Sequence, residues 1–398
     1  MDGRNSQAFV AVNSLMRILF ATTRGAGHVG PLTPFAHACV TAGHDVLVAA
    51  APSTEPHVRR AGLPFAAVGE PDEAVMAAIW ERVKAATNED AGRIVFEEVF
   101  AGEFARSALP GMLRLARRWR PDLIVRETCE FASPLVAETF GVPDVHVACL
   151  LAVLGTTDWD LHEPLGRLRR DFGLAPRHRD RSLDPYLTLA PRSLEHPAFV
   201  EIPGTRRFRA PATAPRPLPD WWSGTERPLV YVSFGSAAAG NGFFPGVYRE
   251  AAEALGDLPV RVLLTTGTEV DPADLGAVPA NVHVERWVPQ STVMAHASAM
   301  VGHGGSGSTL AAMAAGMPLA VVPLFADQPE NAQRVAELGA GLRLDGVSGL
   351  ADAVTELLTE PRYRRRACAV AEEIAALPPV DAAVGLLEEL AEGEALAA

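Results

Sequence analysis

Two histidines stand where a chain can do chemistry. His28 lies in RGAGHVGP, Arg24 to Pro31, directly after the apolar run RILFATTR, and His303 lies in GHGGSGST, directly after SAMV. An imidazole with an ordinary pKa of about 6.5 can take a proton from a weak acid near neutral pH. Around His28, Gly25, Gly27 and Gly30 also spell G-x-G-x-x-G, the form of a dinucleotide-binding turn. That reading asks for an acid about 20 residues on, at the end of the next strand, to hold the ribose hydroxyls. The next run, DVLVAAAP, has its acid, Asp45, at the beginning and ends in Ala49, Ala50 and Ala51. Pro31 also stands where a phosphate-binding helix would offer an N–H. The glycines alone do not carry the NAD reading, and a turn histidine that merely packs remains open.

The second histidine belongs to an anion site. In GHGGSGST the strand SAMV turns into the helix STLAAMAA, so the N–H groups of Gly305, Gly307 and Ser308 face outward at the positive end of a helix. His303 adds a ring N–H, and Ser306 and Ser308 add hydroxyls. The set suits a diphosphate held without a lysine, and no G-K-[ST] is present to make it a P-loop. The plainer alternative is a tight turn with a core histidine. VSFGS places Gly235 and Ser236 at the end of another strand, and Trp287 and Val288 end a third, with Gln290 just beyond. An indole there can stack on a flat base. Asp327 and Gln328 follow a further strand and offer hydroxyl-binding groups. A base stacker, a diphosphate cradle and a polyol reader on neighbouring strand ends describe a nucleotide sugar.

These residues must be positioned by two sheets. RILFATTR, DVLVAAAP, PDLIVRE and VPDVHVACL are continuous apolar runs, as expected of strands buried on both faces of a parallel sheet. Residues 72–118 are helical in period and carry Trp80, Phe96, Phe100 and Phe104, which read as core aromatics. Residues 155–200 show no clear period and read as a long irregular connection. The proline-rich RAPATAPRPLPDWW reads as a stiff linker. A second alternation follows in PLVYVSFGS, VRVLLTTG, VHVERWVP, AMVGHGGSG and PLAVVPLFA. The class is α/β, with two doubly wound domains and one cleft between the carboxyl ends of their strands.

Composition excludes several partners. The chain has 398 residues, room for two cores, and a net charge of −13. That charge, with no basic run, argues against nucleic acid and anionic lipid surfaces. The four cysteines lack any C-x-x-C and read as buried thiols of a reducing compartment. Residues 1–15 read as a loose extension without the features of a secretion signal, and a cytoplasmic location is expected.

The segment from Trp287 to Ala332 resembles the donor-binding signature of the family 1 glycosyltransferases. Its W-x-P-Q, H-x-G-x-x-S and D-Q-x-x-N-A elements are Trp287, Pro289, Gln290, His303, Gly305, Ser308, Asp327, Gln328 and Asn331. The likeness is to the actinobacterial antibiotic members and extends over essentially the whole chain from Met16. It implies a GT-B fold, with an acceptor-binding domain over 1–210, a linker over 211–224, a donor domain over 225–379, and an amphipathic terminal helix over 380–398 that could pack back on either domain, the N-terminal one being the choice. In that family a G-H-x-x-P turn carries the catalytic base, here Gly27, His28 and Pro31. The family's usual partner is an Asp after the fourth strand; here Glu127 is the choice, with Glu130 as the alternative. The mechanism implied is inverting displacement without a metal, and no metal cluster is expected. Plant UDP-using relatives have a Glu three residues after the motif serine, where this chain has Ala311, so a TDP-sugar is the expected donor. The expected partners are a nucleotide sugar and an apolar aglycone, with a homodimer left open. C- or N-glycosylation, 2-epimerisation of a nucleotide sugar, and a silent nucleotide-sugar-binding partner are the competing readings.

Overall fold

The computed structural model describes residues 15–86, 88–151, 161–174, 185–195, 204–212, 218 and 227–393. The apolar runs form strands because alternate residues serve opposite faces of a sheet. Ile18, Phe20, Val46, Val48, Leu123 and Val125 pack on one side with Phe35 and Leu387, whereas Leu19, Ala21, Ala49 and Ile124 pack on the other with Leu109, Met112 and Leu135. With both faces covered, most strand positions are apolar and the sequence reads as continuous rather than alternating, the buried Arg126, Glu127 and His146 being exceptions.

The first sheet comprises β1 (Arg17–Ala21), β2 (Asp45–Ala50), β3 (Phe65–Ala67), β4 (Leu123–Glu127), β5 (Asp144–Val147), β6 (Tyr186–Thr188) and β7 (Arg206–Arg207). Its strands are parallel, in the order β3-β2-β1-β4-β5-β6-β7, with Ile18 opposite both Val46 and Leu123. The second comprises β8 (Leu229–Ser233), β9 (Arg261–Thr265), β10 (Val282–Glu285), β11 (Ala299–Gly302), β12 (Leu319–Val321) and β13 (Gly341–Arg343). It too is parallel, in the order β10-β9-β8-β11-β12-β13. Strand order reverses between β1 and β4 in one sheet and between β8 and β11 in the other. Such switch points open a crevice at the carboxyl ends of the strands, where ligands of doubly wound sheets bind.

The helix Ala26–Thr41 follows β1 and packs against the helix Ser306–Ala314 that follows β11, so the two switch points approach one another. The last helix, Ala383–Glu392, packs on Ala26–Thr41 and contributes Ala383, Leu387 and Leu390 to the first sheet's core. Most of 211–224 and nearly all of 1–15 lie outside the described residues. None of the described helices is long and apolar enough to cross a membrane.

Several local expectations are corrected. Residues 155–200 are not wholly irregular where described, since a helix runs from His162 to Asp171 and β6 follows it. Residues 72–118 are helical, but Val95–Phe104 is wound as a π-helix, and Trp80 is exposed rather than core. Cys368 is exposed rather than buried.

Candidate active site

The turn after β1 is made by its first glycine. Gly25 has φ of +105°, which an L side chain rarely adopts, and it caps the helix on which His28 sits. Gly27 and Gly30 lie within that helix at ordinary backbone angles, and a Cβ on either would meet nothing within 4 Å. The glycine pattern is therefore a single special turn, and His28 is the group it aims.

His28 Nδ1 lies 3.2 Å from Oε1 of Glu127, the last residue of β4. The imidazole is 22% exposed and the carboxylate 0%, so the pair has a wet end and a dry end. Glu127 is held from several sides. Oε1 accepts the Thr23 hydroxyl at 2.8 Å and the Thr23 N–H at 3.1 Å. Oε2 accepts the Cys129 N–H at 2.6 Å and the Cys149 thiol at 3.1 Å. Burial works against the ionised carboxylate, but the His28 charge and these donors overcome it and hold Glu127 down at about 2. Burial likewise works against the imidazolium, yet the Glu127 charge and the hydrogen bonds the ring donates to Cys149 and Glu127 raise His28 well above its ordinary value. Phe100, from the π-helical segment, sets its ring edge against His28 with centroids 5.5 Å apart.

Glu130 does not reach His28. Its carboxylate accepts the N–H groups of Ala132 and Ser133, each at 2.9 Å, and the Ser133 hydroxyl, where the helix Ser133–Phe140 begins. Of the two carboxylates after β4, one faces the histidine and the other satisfies a helix start.

Across the crevice, the helix Ser306–Ala314 makes its first internal bond from Thr309 N–H to Gly305 carbonyl at 2.9 Å. The amides of Ser306, Gly307 and Ser308 thus have no intrahelical acceptor. His303 packs between Gly235 and Gly305: a Cβ on Gly235 would stand 2.6 Å from two atoms of its ring, and one on Gly305 would stand 2.4 Å from Nε2. Burial lowers His303 to about 4, with the Ser233 backbone opposing, so the ring is neutral and has a single N–H to offer. Gln290 donates to the Ser308 hydroxyl at 3.3 Å, and Trp287 is exposed beside Val288. The Ser306 hydroxyl donates to Asp327 at 2.6 Å, and Asn331 donates to the same carboxylate at 2.8 Å. That commits the Ser306 proton internally, leaving its amide as the group that faces outward. Gln328 is buried and its Oε1 accepts the N–H groups of Leu324 at 2.8 Å and Phe325 at 3.0 Å, which fixes the turn ahead of Asp327. Ser236 is exposed after β8.

Comparison with known proteins matches residues 37–195 to the N-terminal domain, and 249–390 to the C-terminal domain, of the erythromycin biosynthesis protein CIII-like family. The 4'-demethylrebeccamycin synthase of Lentzea aerocolonigenes is 31% identical, over 94% of this chain and 99% of its own length. The chain belongs to the EryCIII-like glycosyltransferases. The glycosyltransferase SnogD from Streptomyces nogalater superposes with a TM-score of 0.77 at 28% identity, covering 95% of this chain and 100% of its own. The Streptomyces sp. SF2575 glycosyltransferase SsfS6, solved with thymidine diphosphate, does so with a TM-score of 0.75 at 26% identity, covering 94% and 99%. The fold is GT-B, and this glycosyltransferase is one of the antibiotic-pathway branch.

The sequence reading missed the surroundings of Glu127. Thr23, Cys129 and Cys149 come from the ends of β1, β4 and β5, and nothing in their spacing announces that they meet. Among the described residues, His28, Glu127, Cys129 and Cys149 place one ligand atom each within 4.8 Å of one another, a grouping that no spacing along the sequence announces.

Proposed function

We propose that this glycosyltransferase moves a sugar from a TDP-sugar to a hydroxyl of an apolar natural product, with inversion and without a metal. The observation that carries the reading is the buried Glu127 at 3.2 Å from Nδ1 of a partly exposed His28, on a helix packed against the one whose free amides start at Ser306. With Nδ1 turned to Glu127, Nε2 is the atom left to take the acceptor's proton. As that proton moves, the acceptor oxygen bonds to the anomeric carbon from the face opposite the leaving diphosphate, and the bond from carbon to phosphate oxygen breaks. The charge that builds on the diphosphate is met by the Ser306–Ser308 amides, the Ser308 hydroxyl and the neutral His303. Asp327, hydrogen-bonded to Ser306 and Asn331, is placed for the sugar hydroxyls, with Gln328 bracing its turn, and Trp287 for the base. Gly235 and Ser236 line the turn facing His303. The aromatic edge of Phe100 on His28 favours an apolar acceptor. The domain assignment proposed is acceptor side up to residue 210 and donor side from 225.

The choice of TDP is supported by the nucleotide in the SsfS6 structure and by Ala311. That residue lies on the Ser306–Ala314 helix, packed on the same cluster as Val288, and has no group for a ribose 2′-hydroxyl. Burying that hydroxyl unpaired costs on the order of 1–3 kcal/mol. Competition binding should therefore favour TDP over UDP by about tenfold or more, and Ala311→Glu should narrow or reverse the ratio. Equal wild-type affinities, or a ratio untouched by the substitution, would remove the basis for TDP.

A further inference from the structure

Glu127 is surrounded by more than a base requires. The Cys149 Sγ lies 3.1 Å from Glu127 Oε2, 3.8 Å from His28 Nδ1 and 4.0 Å from Cys129 Sγ, while His28 Nδ1 lies 3.2 Å from Glu127 Oε1. A tetrahedral zinc ion has Zn–S bonds of about 2.3 Å and Zn–N or Zn–O bonds of about 2.0–2.2 Å, so its ligands sit roughly 3.3 Å apart for nitrogen and oxygen and roughly 3.8 Å apart for two sulfurs. These four separations stand within about half an ångström of such edges, and all four residues place a ligand atom within 4.8 Å of the others. We propose that His28, Glu127, Cys129 and Cys149 form a binding site for a soft divalent cation, zinc above all, and that filling it switches off sugar transfer.

The donor set selects the ion. Two sulfurs, an imidazole and a carboxylate suit zinc, whereas magnesium and calcium demand oxygen. Bystander thiols would not need a carboxylate between them, yet Glu127 is gripped by Thr23 and by the Cys129 amide, the outer contacts that orient a metal-binding carboxylate. His28 is the exposed member of the set, so the ion enters from the acceptor side of the crevice.

The chemistry balances without another reagent. Zinc forms bonds to the two sulfurs as each thiol loses its proton to solvent, and a coordinating thiol is deprotonated outright even where burial disfavours the thiolate. Zinc takes the Nδ1 lone pair of neutral His28, so the ring proton shifts to Nε2. That nitrogen then presents N–H to the acceptor and cannot receive a proton. Binding does not depend on the functional reading above; inhibition rests on it.

Cobalt(II) and zinc separate the two. Untagged, EDTA-treated protein titrated with cobalt should develop thiolate-to-cobalt charge-transfer absorption and the strong visible bands of a tetrahedral ion, both bleached by zinc. Saturating zinc should lower transfer at least tenfold. In Cys129→Ser and Cys149→Ser the charge-transfer band should weaken. The zinc needed for half-inhibition should rise at least ~10–100-fold, each variant being compared with its own zinc-free rate. The wild-type spectrum keeps the test valid if a variant fails to fold. Absence of thiolate charge transfer in the folded wild type overturns the site, as does zinc inhibition unaltered in both variants. A full cobalt signal with undiminished transfer under zinc overturns the switch and tells against His28 as the base.

Discussion

Replacing Glu127 with glutamine removes one charge and almost no volume, so its consequences can be worked from the contacts. Every neighbour of the carboxylate donates to it: Thr23 N–H and hydroxyl on one oxygen, Cys129 N–H and Cys149 thiol on the other. An amide must turn its NH2 toward one of these sides. If it replaces Oε2 it meets the Cys129 N–H at 2.6 Å; if it replaces Oε1 it meets the Thr23 N–H at 3.1 Å and His28. Either way a buried donor loses its acceptor, at a cost of about 1–3 kcal/mol, which a domain stable by about 5–15 kcal/mol survives.

The effect on catalysis has a distinctive pH signature. His28 acts only when deprotonated, and in the native pair its pKa is raised, so kcat/KM should climb with pH to a plateau above the ordinary histidine range. Without the Glu127 charge, burial dominates, and the rising limb moves to lower pH. The variant's ring is then free of its proton sooner, but it is a weaker base held less firmly. The deficit should therefore be smallest near pH 6, where the wild-type ring is mostly protonated and idle. It should grow toward pH 9, within the roughly 10²–10⁴-fold that base catalysis is worth. Initial rates across that range, with folding checked by thermal melts, decide it. A deficit that is constant with pH, or largest at low pH, refutes the pairing argument.

Three further outcomes follow from the same geometry. His28→Ala should lower turnover by roughly 10²–10⁴-fold with TDP affinity intact by calorimetry, and unchanged turnover of the folded variant would count decisively against a base at that turn. His303→Ala and Ser308→Ala should each weaken TDP binding by about 1.5–3 kcal/mol, the worth of a hydrogen bond to a charged group; unaltered affinity in both would mean the cradle is elsewhere. Gly235→Ala places a Cβ 2.6 Å from two atoms of the His303 ring at a φ of +80°, so it should cost on the order of 1–2 kcal/mol in backbone strain alone and weaken TDP binding by displacing the ring. A variant with wild-type Tm and TDP affinity would show the ring to be movable.

The fold was legible wherever burial was uniform. Runs such as RILFA and LVYVS announce themselves because both faces of each sheet are covered, so no polar residue interrupts them. The strands that escaped notice are short: Phe65–Ala67, Tyr186–Thr188, Arg206–Arg207 and Gly341–Arg343 offer too few residues for a period, and what makes them strands is a neighbour to pair with. The helix His162–Asp171 is a different case. Its polar surface hid it, yet Leu165, Leu168 and Phe172 recur at helical spacing and pack on the first sheet's core.

The donor side of the site was readable because it is built from contiguous turns, and the surroundings of the base were not because they are built from register. Glu127 meets Thr23 and Cys149 only because β4 lies between β1 and β5, a relation set by strand order. The choice between Glu127 and Glu130 nevertheless had a physical handle in the sequence. Pro134 lacks an N–H and is favoured in a helix's first turn, which marks a helix beginning near Ser133 whose other leading amides require an acceptor. Glu130, three residues ahead of Ser133, is within reach of those amides and binds them. Glu127 ends its strand with no such local demand, and its buried charge needs a partner from elsewhere in the fold. That partner is the histidine on the neighbouring strand's turn, so helix capping alone separates the carboxylate that serves structure from the one that faces His28.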